Sequence, residues 1–333
     1  MVPFSILDLS PITQGATASD ALANSRRLAQ EAEAYGYKRF WLAEHHGMRG
    51  IASAATAVVI NHVAAGTQSI RVGSGGIMLP NHAPLVIAEQ FGTLAALHPG
   101  RIDLGLGRAP GTDMRTAAAL RRNMDAGAES FPNDVVELQA LLAEPGENQG
   151  LIAVPGAGTN VPIWLLGSST YSAQLAAMLG LPFAFASHFA PDMLMTALQI
   201  YRERFRPSET LPKPYAMVGI MGVAAASDAE ADHLFTSMQQ SFVALRRNAR
   251  GQFPPPVDSM DGLWSPAEKE FVDHSMTYAV VGGPERVARK IGDFLDMTKA
   301  DELIVSMPIF DMDARLQSVR LFAGAQQRLA EAA

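Results

Sequence analysis

Short apolar runs alternate with amphipathic helical patterns along nearly the whole 333-residue chain, and that alternation constrains the fold more than any other feature. Runs at 4–9, 40–43, 70–78, 102–106, 163–166, 183–186, 215–224 and 302–307 have the content of strands. Between them apolar residues recur at helical spacing. Ala21, Leu22, Ser25, Leu28, Ala29 and Ala32 form one such stripe, with Ser19 as the expected N-cap and Gly36 as the stop. Repeated strand–helix units argue for a parallel sheet joined by right-handed crossovers. Eight units fit a (β/α)8 TIM barrel, an α/β fold; an open doubly wound sheet with an appended domain is the alternative. The pattern lapses over 109–161, read as an insertion after strand 4, and over 251–274, read as a mobile loop after strand 7. Both are expected to belong to a single domain spanning 1–333, since α/β barrels of roughly 250 residues and more fold as one unit.

The composition suits a large core: 48% of residues are hydrophobic and 18% charged, which argues against disorder. The net charge of −7, with no basic run to offset it, disfavours nucleic acid and anionic membrane surfaces as partners. There is no cysteine, which excludes disulfides, thiolate metal centres and cysteine nucleophiles. The start Met1-Val2-Pro3-Phe4 lacks a signal-peptide pattern, and no apolar run reaches the roughly 20 residues of a membrane span, so a cytoplasmic protein is expected.

In a barrel, chemistry gathers where strands end and βα loops begin. The second strand ends in Glu44-His45-His46. Imidazoles beside a carboxylate can act as general base, hydrogen-bond donor or metal ligand. Successive strand residues face opposite ways, so one histidine should face the pocket and the other the shell, which counts against a metal. Gly73-Ser74-Gly75-Gly76 in the third strand marks either a bulge or a surface cleared for a flat ligand. After the fourth strand, Gly105-Leu106-Gly107-Arg108 puts an arginine suited to phosphate at the rim. Gly167-Ser168-Ser169-Thr170 runs directly into a helix, where N–H groups, hydroxyls and the helix dipole make an anion cradle; Gly282-Gly283-Pro284 offers a second one. His82 and His188 are further rim positions, while His62 and His98 belong to helices. No Gly-x-Ser-x-Gly elbow or Walker loop is present, so hydrolase and NTPase chemistry lack their usual marks.

The runs Trp41 to His46, Val72 to Pro80, Leu97 to Arg108, Trp164 to Ser169 and Val281 to Glu285, in this order, resemble the bacterial luciferase-like flavin monooxygenase family over most of the chain. The resemblance implies a (β/α)8 barrel, a homodimer, and FMN received in reduced form as a co-substrate from a flavin reductase. It implies that His45 is the catalytic histidine, with Glu44 beside it in the motif. Arg108, Gly167, Ser168 and Ser169, with Tyr171 and Ser172, would hold the flavin phosphate. Gly75 and Gly76 would lie under the ring, where members can carry a non-proline cis peptide. No metal site is implied. The implied reaction is oxidation by O2 of a small organic substrate, aldehyde-like or otherwise apolar, through a peroxyflavin. A deazaflavin-dependent dehydrogenase on the same fold is the alternative, and a non-catalytic flavin-binding protein a third reading. The light-emitting members carry a reactive cysteine near the fourth strand; Gly107 lies close to its place, so light emission is not implied. The stretch 52–65, small and apolar across a wide face, independently predicts dimerisation.

Overall fold

A computed structural model describes residues 1–109, 114–120, 130–146 and 149–331. Its strands are β1 (Phe4–Asp8), β2 (Arg39–Leu42), β3 (Arg71–Met78), β4 (Ile102–Gly107), β5 (Ile163–Gly167), β6 (Phe183–Phe185), β7 (Ala216–Ala224), β8 (Val280–Gly282) and β9 (Glu302–Ser306). All pair in parallel: β1 to β6 in sequence, then β6 with β7, β7 with β9, and β9 back to β1. The eight strands other than β8 thus close on themselves as a (β/α)8 barrel, and the helices between them pack their apolar faces on its outside.

The structure departs from the sequence reading in a few places. β8 pairs only with Gly222 to Ala224 of β7 and is too short to show a period in sequence. Helix Ala18–Ala34 is capped by Thr17 rather than Ser19, because Thr17 and Asp20 exchange hydrogen bonds as a capping box (2.8 and 3.2 Å). The apolar stretch 52–65 is helical only over Thr56–Ala64; ahead of the helix Ile51 bridges Pro11, and the Ser53 hydroxyl donates to Ala43 O. Within 251–274, Pro266–Ser275 is a helix with its own capping box at Ser265. The part before it is tied down by Phe253, which donates to Ile12 O (2.8 Å) and accepts from Gln14 N–H (2.9 Å). The insertion contributes helices Met114–Leu120 and Phe131–Leu142; its segments 110–113, 121–129 and 147–148, and the last two residues of the expected domain, lie outside the described residues. No helix among the described residues is long and apolar enough to cross a membrane.

Alternation along the strands stacks the barrel interior in layers. The lowest is ionic: Arg39 reaches Asp103 and Glu302 (both 2.8 Å), and Arg71 reaches Asp103 (2.6 Å). Ser5 and Tyr215 donate to Glu302, and Trp41 Nε1 donates to Asp103 (3.2 Å). Both carboxylates are fully buried and yet fully partnered. Above them lies an apolar layer of Leu7, Trp41, Trp164, Ala184, Met217 and Ile304, in which the two indoles meet edge to face at 5.2 Å. Burial alone would lower the Arg39 pKa, but Asp103 and Glu302 raise it, so the guanidinium stays charged. Asp103→Ala would leave Arg39 half-paired in the interior. We expect a loss of about 3–5 kcal/mol in urea unfolding; a loss below about 1 kcal/mol would mean that water reaches the cluster.

Candidate active site

Above the tryptophan layer the barrel is open, and a cavity of about 790 Å³ occupies its C-terminal mouth. Leu7, Trp41 and Ile304 form its base. The chain that leaves β2 splits the Glu44-His45-His46 motif as strand alternation predicts: His45 lines the cavity, and its two neighbours do not. Glu44 is buried behind the wall. Its Oε1 accepts from His46 Nε2 (2.7 Å) and His82 Nε2 (2.9 Å), and its Oε2 accepts from the Met78 N–H (3.0 Å). Burial alone would lift the Glu44 pKa, but these hydrogen bonds outweigh it and hold the carboxyl below its usual range. Glu44 therefore ties the exit of β2 to the exit of β3 and positions His45 without reaching the cavity. His82, a rim position in sequence, does not line the cavity, since its ring is spent on Glu44. Glu44, His46 and His82 do bring three potential ligand atoms within 4.8 Å of one another. A cation there would have to displace the imidazole N–H groups from the carboxylate.

The glycine run in β3 is both a bulge and a cleared surface. The β3–β4 register shifts between Ser74 and Ile77, and the Gly75–Gly76 peptide is cis. Ser74 Oγ bridges the broken ladder, donating to Gly105 O (2.9 Å) and accepting from Gly105 N–H (3.0 Å). A Cβ on Gly76 would lie 2.7 Å from Gly105 O, so the strands approach too closely there for any side chain. Gly75 and Gly76 form a stretch of cavity wall made of bare backbone.

Across the mouth, Arg108, Gly167, Ser168, Ser169 and Ser172 also line the cavity. Ser169 is the N-cap of helix Thr170–Leu179 by backbone geometry, yet its side chain makes no capping bond. Among the described residues the hydroxyls of Ser168, Ser169 and Ser172 find no partner, and Arg108 meets no carboxylate. The guanidinium instead lies 4.0 Å over the Tyr171 ring, so Tyr171 holds Arg108 from behind and does not itself line the cavity. The second cradle expected from sequence is closed from within: Gly283 N–H donates to Asp228 Oδ1 (2.7 Å), and Arg286 pairs with the same carboxylate (2.8 Å). An anion from solution is left the cradle on the cavity.

One cavity group has only its rim position as a signal in sequence. His188, just past β6, lines the cavity near His45. Its Nδ1 is enclosed with no partner among the described residues, held against Gly219, where a Cβ would come within 2.5 Å of it. Burial, reinforced by the charge of His45, pushes its pKa down to about 4. His62 lies in helix Thr56–Ala64, and His98 caps the end of helix Pro84–Leu97, bonded to Asn61 (2.9 Å).

The luciferase-like monooxygenase family pattern matches residues 2–300. The chain is 55% identical over 328 residues to a luciferase-like monooxygenase of Escherichia coli (strain K12), covering 98% of each. It is similar to the crystal structure of apo-MsnO8, with TM-score 0.92 and 34% identity over 98% of this chain and 99% of that one. It shares its fold, at TM-score 0.72 and 17% identity over 97% and 96% of the chains, with the oxygenating constituent of 3,6-diketocamphane monooxygenase from Pseudomonas putida, a type II Baeyer–Villiger enzyme solved in complex with FMN.

The half-buried imidazole, with its Nδ1 enclosed, makes the fold acid-sensitive in a defined window. The unfolded chain takes up this proton near pH 6.5 and the folded one only near 4, so stability is full above about 6.5 and falls as pH drops toward 4. The loss attributable to His188 is at most about 3 kcal/mol. Urea midpoints from pH 7 to 4 should fall less steeply in His188→Gln than in the parent; parallel slopes would show that His188 is not held neutral.

Proposed function

This chain belongs to the luciferase-like monooxygenase family, and we propose that it uses reduced FMN and O2 to oxidise a small organic substrate. One arrangement carries the reading: a helix N-terminus whose serine hydroxyls and neighbouring arginine have no hydrogen-bonding or carboxylate partner among the described residues faces a bare-backbone wall across a mostly apolar cavity. That donor set fits a phosphate, and the wall fits a planar ring. When bound in reduced form, FMN supplies the electrons that activate O2.

The protein's own residues do the rest. Arg108, Ser168 and Ser169 hold the phosphate, Gly167 and Ser172 shape the cradle around it, and Tyr171 keeps Arg108 in place. Gly75 and Gly76 support the ring. His45 exchanges the proton that oxygen transfer requires, and Glu44 keeps the backbone behind it fixed. Phe253 and Pro254, held against the loop after β1, help to exclude water. A flavin reductase delivers the reduced cofactor. The exposed Val58, Val86 and Leu97, on the adjoining helices Thr56–Ala64 and Pro84–Leu97, form the contact face of a homodimer.

Fluorescence titration with oxidised and reduced FMN should show saturable binding, weakened about tenfold or more in Arg108→Ala. Saturation by neither form, or preference for a reduced deazaflavin, would overturn the assignment to FMN. Once a converted aldehyde or ketone is found by screening, His45→Ala should bind FMN as the parent does but oxygenate about 10²–10⁴-fold more slowly. An undiminished rate would remove His45 from the mechanism.

A further inference from the structure

No aspartate or glutamate lines the cavity among the described residues, although the chain as a whole carries a net charge of −7. Three arginines reach it instead: Arg108, Arg250 and Arg315. Arg315 is spoken for. It is 4% exposed, its Nη2 pairs with Asp8 at 2.7 Å, and its Nε donates to Met307 O at 2.6 Å. Arg108 belongs to the phosphate cradle. Arg250 meets no carboxylate among the described residues; its Nη1 approaches Met48 Sδ at 3.5 Å, and thioether sulfur is a weak acceptor.

The two uncommitted arginines stand on opposite sides of the mouth. Arg108 ends β4, and the serine cradle begins where β5 ends. Arg250 opens the segment that is stitched to the loops after β1 and β2. Phe253 exchanges backbone bonds with Ile12 and Gln14, and Gly50 packs so tightly on Gly251 that a Cβ would lie 2.3 Å from its carbonyl oxygen. In this eight-strand ring β1 stands across from β5. The rest of the wall is largely apolar, with Leu9, Met238, Phe242, Leu245 and Phe253 alongside a few amide and hydroxyl groups. A molecule filling that space buries hydrocarbon in the middle and meets a free guanidinium at the far end, where a carboxylate accepts two parallel N–H bonds.

We propose that Arg250 anchors a carboxylate of the organic substrate, so that the substrate class is an apolar body with a single anionic head. The proposal rests on the flavin reading in assigning Arg108 to the cofactor phosphate. Flavin-loaded protein titrated calorimetrically with octanoate and with octanamide tests it, because the pair differs only in charge at the head. Octanoate should bind about tenfold or more tightly than octanamide. Arg250→Gln should abolish the preference, and Arg250→Lys should keep part of it, with FMN affinity unchanged in both. Equal binding of the two probes, no measurable binding of octanoate, or a preference that survives Arg250→Gln would overturn the proposal. The same titrations on flavin-free protein keep the two readings apart. There, a preference lost in Arg108→Ala but not in Arg250→Gln would overturn the anchor. A protein that never binds FMN, yet prefers octanoate through Arg250, would sink the flavin reading and leave the anchor standing.

Discussion

Arg39 sits inside the closed end of the barrel and binds two carboxylates that its own strand does not adjoin, Asp103 on β4 and Glu302 on β9. Sheet hydrogen bonds join each strand only to its neighbours, so this cluster is what ties the ring across its diameter. Taking these ions out of water is costly, and the arrangement is tolerable because nearly every charged oxygen and nitrogen has a partner. Its polarity also decides where the apolar residues go. The tryptophan layer stacks directly on it, edge to face and with Arg39 over the Trp164 ring at 4.6 Å. With the lower barrel filled by ions and indoles, the empty volume is left at the other end, where the βα loops gather.

The barrel was legible because its signal is a period repeated along the chain. The rim was legible as a place because the βα loops gather at a barrel's strand ends, so His45, Arg108 and the Ser168-Ser169 pair could be put on the cavity wall from position alone. What escaped the reading depends on contacts between distant segments. Glu44 and His45 are adjacent in sequence and look like one catalytic unit; only the fold shows that one is a clamp behind the wall. Gly282-Gly283 and Gly167-Ser168 look equivalent as cradles until Asp228, far away in the chain, fills the first. His188 gains its meaning from Gly219, a residue with no side chain to announce it. The Ser19 cap lost to Thr17 for a more local reason, since a capping box needs an acidic partner three residues on, and Asp20 supplies it to Thr17.

The cavity is unusual less for what lines it than for the charge it leaves uncompensated. Among the described residues, a protein that is acidic overall keeps its carboxylates off the wall of this cavity and turns arginines toward it. One of these is neutralised by Asp8 and serves the architecture. Arg108 and Arg250 meet no carboxylate among the described residues and face a cavity whose walls are otherwise largely apolar.

Residues past 300 lie outside the span that the family pattern covers, yet they complete the barrel. β9 provides Glu302 to the ion cluster, Ile304 to the apolar layer and Ser306 to the cavity, and helix Met312–Glu331 delivers Arg315 to Asp8. A fragment cut to the recognised span would therefore not be a smaller version of this protein. It would be an open sheet whose raw edges, β1 and β7, present unpaired backbone to any passing strand, and its proper fate would be aggregation rather than weak activity.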